Sequence, residues 1–167
     1  MDAQERRQVI ARRLEGSEAP ISAAALAREC GVSRQIVVGD VALLRAGGME
    51  IAATPRGYLL RREGPGLRRQ VACRHTAQEM EAELNAMVDQ GCTVEDVVVE
   101  HPVYGQLTGA LQLRSRYDVQ QFILHARGAA PLSMLTEGVH LHTLLCPDEE
   151  AYRRVLEELS ALGVLFR

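Results

Sequence analysis

The sequence predicts an α+β protein built as two modules in series, and three observations carry that expectation. Three short amphipathic segments are followed by two β runs across a Pro/Gly turn; a charged stretch rich in breakers lies at 61–66; beyond it strands alternate with helices. With 167 residues and 47% apolar content, the chain can bury one sizeable core or two small ones, and modules of roughly 65 and 100 residues fit ordinary domain sizes. The expected modules are residues 1–63 and 68–167.

In the first module, residues 2–15 set Val9, Ile10, Arg13 and Leu14 at helical spacing before Gly16-Ser17 ends the segment. Residues 23–30 form a second helix behind Pro20 and a capping Ser22. A break at Gly31-Val32 leads to Ser33, the N-cap of a third helix with Val37, Val41 and Leu44 inward and Gly47-Gly48 at its end. Residues 49–53 and 58–60 flank Thr54-Pro55-Arg56-Gly57 and read as a hairpin. Small Ala27 where two helices cross, Gly31 where the chain needs a positive φ and Val32 under the turn meet the steric demands of a helix-turn-helix. The hairpin is then its wing. An αα-hairpin in a helical core is the rival, and it leaves the hairpin without a role.

The second module reads as strand 70–73, helix 77–90, strands 94–100 and 107–113, helix 118–126, strand 139–145 and helix 148–162, with a short strand at 132–135. A βαββαβ order with a closing helix predicts an α+β sandwich, its helices on one face of a mainly antiparallel sheet. No repeat or low-complexity tract interrupts it.

Net charge is −3, but the balance is uneven along the chain. Up to Arg69 there are 12 arginines against 8 acids, and afterwards 7 against 14. A basic part joined to an acidic one suits a polyanion-binding head on a regulatory or oligomerising body. The four cysteines, Cys30, Cys73, Cys92 and Cys146, form no CxxC pair and read as buried thiols of a reducing compartment. Charges begin within five residues of the start and no apolar run approaches about 20 residues, so a cytoplasmic protein without a membrane span is expected.

A recognition helix opening at Ser33 turns Arg34, Gln35 and Val38 outward at its first turns. Arg34 or Gln35 can bond purine edges in two-pronged fashion, and Ser33 doubles as a phosphate ligand. Arg56 at the hairpin tip is placed for backbone or minor groove, and Arg45 for a phosphate at the far end of the helix, unless each is merely a solvated arginine. Gly39 lies mid-helix on the exposed side, where it costs about 1 kcal/mol against Ala and offers no side chain to a groove.

All five histidines fall in the second module. His140 and His142 share one face of a strand, with Cα atoms roughly 6 to 7 Å apart, close enough to hold one divalent ion. His75 follows another strand. In the next helix, Glu83 lies between Met80 and Met87 of the apolar row and is turned partly inward. A buried carboxylate needs compensation, which a cation shared by His75, Glu83, His140 and His142 supplies. The alternative has Glu83 reaching water and Glu79 as the acid ligand. Three imidazoles and a carboxylate suit Zn, Ni, Fe or Co alike. Between two strands, Glu100-His101-Pro102-Val103-Tyr104-Gly105 offers His101 and Tyr104 either as effector contacts beside the ion or as a capped turn with a packed ring. His125, late in a helix, reads as a helix-terminal residue favoured by the dipole.

These motifs, in this order, resemble the niacin-responsive repressors of the NiaR type, which join a winged helix-turn-helix to a 3H domain. The resemblance rests on Ser33-Arg34-Gln35, on His75, on 101–105 and on Leu135-Thr136-Glu137-Gly138-Val139-His140-Leu141-His142-Thr143, and it spans nearly the whole chain. It implies a homodimer on double-stranded operator DNA, nicotinic acid as co-repressor, control of genes for NAD synthesis or niacin uptake, and metal ligands at His75, Glu83, His140 and His142. Gly39 departs from the polar residue expected in that helix. Two rivals remain: a repressor for which the ion itself is the signal, and a metal-dependent hydrolase fused to a DNA-binding head, which lacks an evident nucleophile or general base.

Overall fold

A computed structural model describes residues 1–128, 131 and 138–167, and the chain divides into two compact units, Met1–Glu63 and Gly64–Arg167. The strand expected at 132–135 and the motif residues Leu135, Thr136 and Glu137 lie outside the described residues.

The first unit packs α1 (Ala3–Glu15), α2 (Ala23–Cys30) and α3 (Arg34–Ala46) against a hairpin of β1 (Ile51–Thr54) and β2 (Gly57–Leu60). Asp2 caps α1 through a capping box with Glu5, and Ser22 and Ser33 cap α2 and α3 by accepting from Ala25 N and Ile36 N. Gly31 takes φ 66°, and Val32 N–H reaches back to Ala27 O at 3.0 Å, which makes the tight turn between α2 and α3. The unit's core joins Ile10 and Leu14 to Leu26, Val37, Val41 and Ile51. This is the winged helix-turn-helix expected. One polar group sits inside it: Asp40 on the inner side of α3 is buried and paired with Arg6 at 2.5 Å, with Arg7 at 3.6 Å. The pair ties the recognition helix to α1.

The second unit runs β3 (Leu67–Arg74), a 3-10 turn (Ala77–Glu79), α4 (Met80–Val88), β4 (Thr93–His101), β5 (Gly105–Leu113), α5 (Arg116–Ala126), β6 (Val139–Cys146) and α6 (Glu149–Ala161). Its sheet has the order β3-β6-β4-β5, and every pairing among the described strands is antiparallel. Burial alternates without a break along β6, so His140, His142, Leu144 and Cys146 share one face. That face meets Leu84 and Met87 of α4, Val119 of α5 and Val155 and Leu159 of α6. The observed order is the α+β sandwich expected, with β3 three residues longer at its start.

That extension alters the charge reading. Arg68 and Arg69 belong to the second unit, where Arg68 grips buried Glu95 with two hydrogen bonds of 3.0 Å and Arg69 pairs with Glu149. The head up to Glu63 therefore carries ten arginines against eight acids. Its excess of positive charge is smaller than the split at Arg69 suggests.

Candidate metal centre and nucleic-acid interface

Register brings the histidines together before any side chain is considered. In the antiparallel pair β3·β6, Cys73 lies opposite His140 and Val71 opposite His142, and His75 follows one residue past the strand end. α4 crosses the same face and lowers Glu83, fully buried, onto them. The distances from Glu83 oxygens are 2.5 Å to His75 Nε2, 2.7 Å to His140 Nε2 and 3.2 Å to His142 Nε2. All three imidazole rings are buried, and successive rings stand edge to face with centroids 4.8 Å apart. Glu79, the alternative acid, is exposed and accepts from the Thr76 hydroxyl at 3.0 Å. Glu83 is thus the carboxylate that the fold delivers.

The other side of each ring fixes the chemistry of the cluster. His75 Nδ1 lies 2.6 Å from Thr76 O, His140 Nδ1 2.8 Å from Gly138 O and His142 Nδ1 2.7 Å from Asp96 O. A carbonyl has no proton to give, so Nδ1–H donates in all three rings and each neutral ring turns the Nε2 lone pair inward. The last of these contacts falls where β4 departs from regular register with β6, between Val94 and Val98, and there the Asp96 carbonyl meets His142. Inside, three lone pairs face a carboxylate that is also an acceptor. His142 Nε2, although close to Glu83, has no hydrogen-bond partner of adequate geometry. An acceptor-only cluster in a buried site requires a cation, either protons on the rings or one metal ion, because an uncompensated buried charge costs several kcal/mol. The donor set therefore fits a divalent transition metal.

Burial on its own depresses the pKa of His75 and His142, but the Glu83 charge and its hydrogen bonds outweigh it and raise both above 6.5. Burial likewise pushes Glu83 up, yet the three imidazoles hold it well below 4.5. In the metal-free protein, the histidine contribution to stability is complete below pH 6.5 and fades as pH rises through the raised values. The Glu83 contribution is present above pH 4.5 and is lost as pH falls through its depressed value. Zinc competes with protons for the same Nε2 atoms. Its apparent affinity is therefore expected to climb with pH through and beyond 6.5, with release of protons, in isotherms taken at several pH values in buffers of different ionisation heat. A flat affinity across that range contradicts the arrangement.

Gly138 holds the corner together. It adopts φ 89°, and a Cβ there would stand 2.5 Å from the His75 carbonyl oxygen. The left-handed backbone alone disfavours a side chain by roughly 1–2 kcal/mol, and the overlap adds to that. Gly138→Ala is expected to lower both the melting temperature and zinc affinity, because it displaces His75 and the carbonyl that orients His140. Wild-type melting and zinc isotherms in that variant would show the corner to be unimportant.

Cys73 escaped the sequence reading. Its Sγ and the nearest ligand atoms of Glu83 and His140 all lie within 4.8 Å of one another, and burial first, then Glu83, raises its pKa. It meets the cluster only through its pairing opposite His140, which no local pattern announces. His101 and Tyr104 sit at the β4–β5 turn, at the end of the sheet where β3 finishes and β6 begins. There His101 Nδ1 accepts from Val103 N and Tyr104 N at 3.1 and 3.2 Å, the two rings lie 5.1 Å apart, and Tyr104 is 74% exposed. The turn is capped by His101 and presents its tyrosine to solvent. His125 Nδ1–H donates to Gln121 O in the last turn of α5.

On the head, Ser33 caps α3, and Arg34, Gln35 and Val38 are exposed along its first turns. Arg56 lies half-buried at the hairpin tip, its N–H on the Thr54 hydroxyl at 3.2 Å. Arg45 does more than the sequence suggests: its Nε donates to Ile51 O at 2.8 Å and its guanidinium stands 5.7 Å from the Tyr58 ring centroid. It braces α3 against the wing.

A winged helix-turn-helix head joined to a sandwich domain with a buried histidine and carboxylate cluster defines a class of DNA-binding regulators. Residues 6–59 match the HTH domain model and residues 68–167 the 3H domain model. The chain is 44% identical over 164 residues to a Thermotoga maritima protein named "Probable transcription repressor NiaR", covering 97% of this chain and 94% of that one. It is 41% identical over 160 residues to the Bacillus subtilis "Transcription repressor NadR", covering 92% and 89%. The chain belongs to the NiaR/NadR family of transcription repressors, with an HTH DNA-binding domain and a regulatory rather than enzymatic role. Among the described residues no helix is long and apolar enough to cross a membrane.

Proposed function

We propose that the chain is a cytoplasmic, homodimeric repressor that binds operator DNA with nicotinic acid as co-repressor and controls genes of NAD synthesis or niacin uptake. The observation that carries the sensing half is the convergence of three Nε2 atoms on the fully buried Glu83. His75, Glu83, His140 and His142 would hold one divalent ion, whose chemistry is that of a Lewis acid with a position open to a carboxylate or pyridine nitrogen. Zn, Ni, Fe and Co all suit this donor set. His101 and Tyr104 support the effector reading through their place at the same end of the sheet, with the tyrosine ring free to meet a planar acid. On the head, Ser33 and Arg56 serve backbone contact and Arg34, Gln35 and Val38 serve base contact, while Arg45 keeps helix and wing in register.

A co-repressor shifts the DNA-binding equilibrium only by its differential affinity for the two states, so nicotinate must favour the operator-competent dimer by a few kcal/mol. Calorimetry is expected to show nicotinate binding to the metal-loaded protein and at least about tenfold weaker binding after chelation, a loss in the range seen when metal-site partners are removed. Unchanged binding after complete metal removal contradicts the coordination reading. An operator response to the ion alone, with no organic acid present, would mean instead that the ion is the signal.

A further inference from the structure

We infer that Gly39 marks the point where the backbone of α3 comes into van der Waals contact with duplex DNA, so that the missing side chain sets how deep the helix lies. The inference rests on the DNA-binding reading of the head. Glycine is the poorest helix former after proline, and Gly39 stands in the interior of a thirteen-residue helix. Nothing among the described residues calls for it. Its φ is not positive, it closes no turn, and a Cβ built at the position meets no heavy atom within 4 Å. Elsewhere the structure shows what a required glycine looks like: at Gly57 a Cβ would stand 2.4 Å from the Ile21 backbone, and at Gly138 2.5 Å from His75 O.

The surroundings indicate what the vacancy serves. Gly39 points away from the head's core, into which Val37, Asp40 and Val41 are turned. On a helix its neighbours lie three and four residues away, and these are Gln35, Ile36, Ala42 and Leu43. Ile36 and Leu43 are 43% and 58% exposed, two large apolar side chains left in water on either side of a bare stretch of backbone. Together they form a shallow notch with an apolar rim on the face that carries Gln35. Thymine methyl groups and deoxyribose carbons give the major groove an apolar surface that fits such a notch. A methyl at Gly39 would hold the helix off that surface.

The test uses the full-length protein, with zinc and nicotinate present, and a duplex that the wild-type protein selects from a random-sequence library. Gly39→Ala is expected to melt at a higher temperature than wild type, because the helix gains a better former, and yet to bind the selected duplex at least about tenfold more weakly. Gly39→Val is expected to bind more weakly still. Affinity should thus follow side-chain size, whereas a role for helix flexibility predicts that alanine, the stiffest helix former, is the worst of the three. Affinity of Gly39→Ala within twofold of wild type, or Gly39→Val binding better than Gly39→Ala, overturns the inference while leaving the DNA-binding reading intact. Failure of the wild-type protein to enrich any sequence overturns both.

Discussion

Glu83→Gln is expected to weaken zinc binding by at least about 100-fold, more than the 10 to 100-fold typical of losing a group behind a metal ligand, while the circular dichroism of the second unit stays native. The exchange keeps the shape of the side chain and removes the charge on which three imidazoles converge at 2.5, 2.7 and 3.2 Å. It also turns one acceptor into a donor, which can meet a neutral Nε2 directly and so relieve the acceptor-only cluster without a cation. The metal-free variant should accordingly resist heat at least as well as metal-free wild type once the pH has risen past the raised values of His75 and His142. Zinc should raise the melting temperature of wild type and not of the variant. Equal zinc stabilisation of both proteins is the contrary result.

The second large effect belongs to the head. Arg34→Ala is expected to lose roughly 1–3 kcal/mol of specific binding and to relax base preference, since a two-pronged contact to a purine edge has that worth. Arg56→Ala should weaken cognate and random duplexes alike and lower the salt slope by about one, as loss of a single phosphate contact does. Titrations of both variants on a selected and a random duplex across salt concentrations separate these signatures. Identical behaviour of the two variants would mean that α3 is not the element that reads bases.

The sequence made the architecture readable wherever side-chain chemistry and local geometry agreed. Ser22 and Ser33 cap the helices they precede, Gly31 takes the left-handed conformation its turn demands, and the period of two along Val139–Cys146 places His140 and His142 on one buried face. Glu83 was legible through its phase in the apolar row of α4, because helical periodicity fixes direction before any partner is known. What stayed hidden depends on pairing between distant segments. Cys73 becomes a neighbour of the cluster only through the β3·β6 register, and Asp40 becomes the partner of Arg6 only when α1 packs on α3. The carbonyls of Thr76, Gly138 and Asp96 that orient the rings are main-chain groups, and no residue type announces them. A charge tally split at Arg69 credits Arg68 and Arg69 to the basic part because formal charge does not reveal that Glu95 and Glu149 receive them.

The central claim is that three inward-facing lone pairs and one carboxylate share a single divalent ion. X-ray absorption on the protein reconstituted with zinc and freed of excess metal tests it most directly. The account predicts one zinc per chain with imidazole scattering from three ligands at about 2.0–2.1 Å, oxygen completing the shell, and loss of that signal in Glu83→Gln. Zinc far below one per chain, or a bound ion with one imidazole or none in its shell, contradicts it.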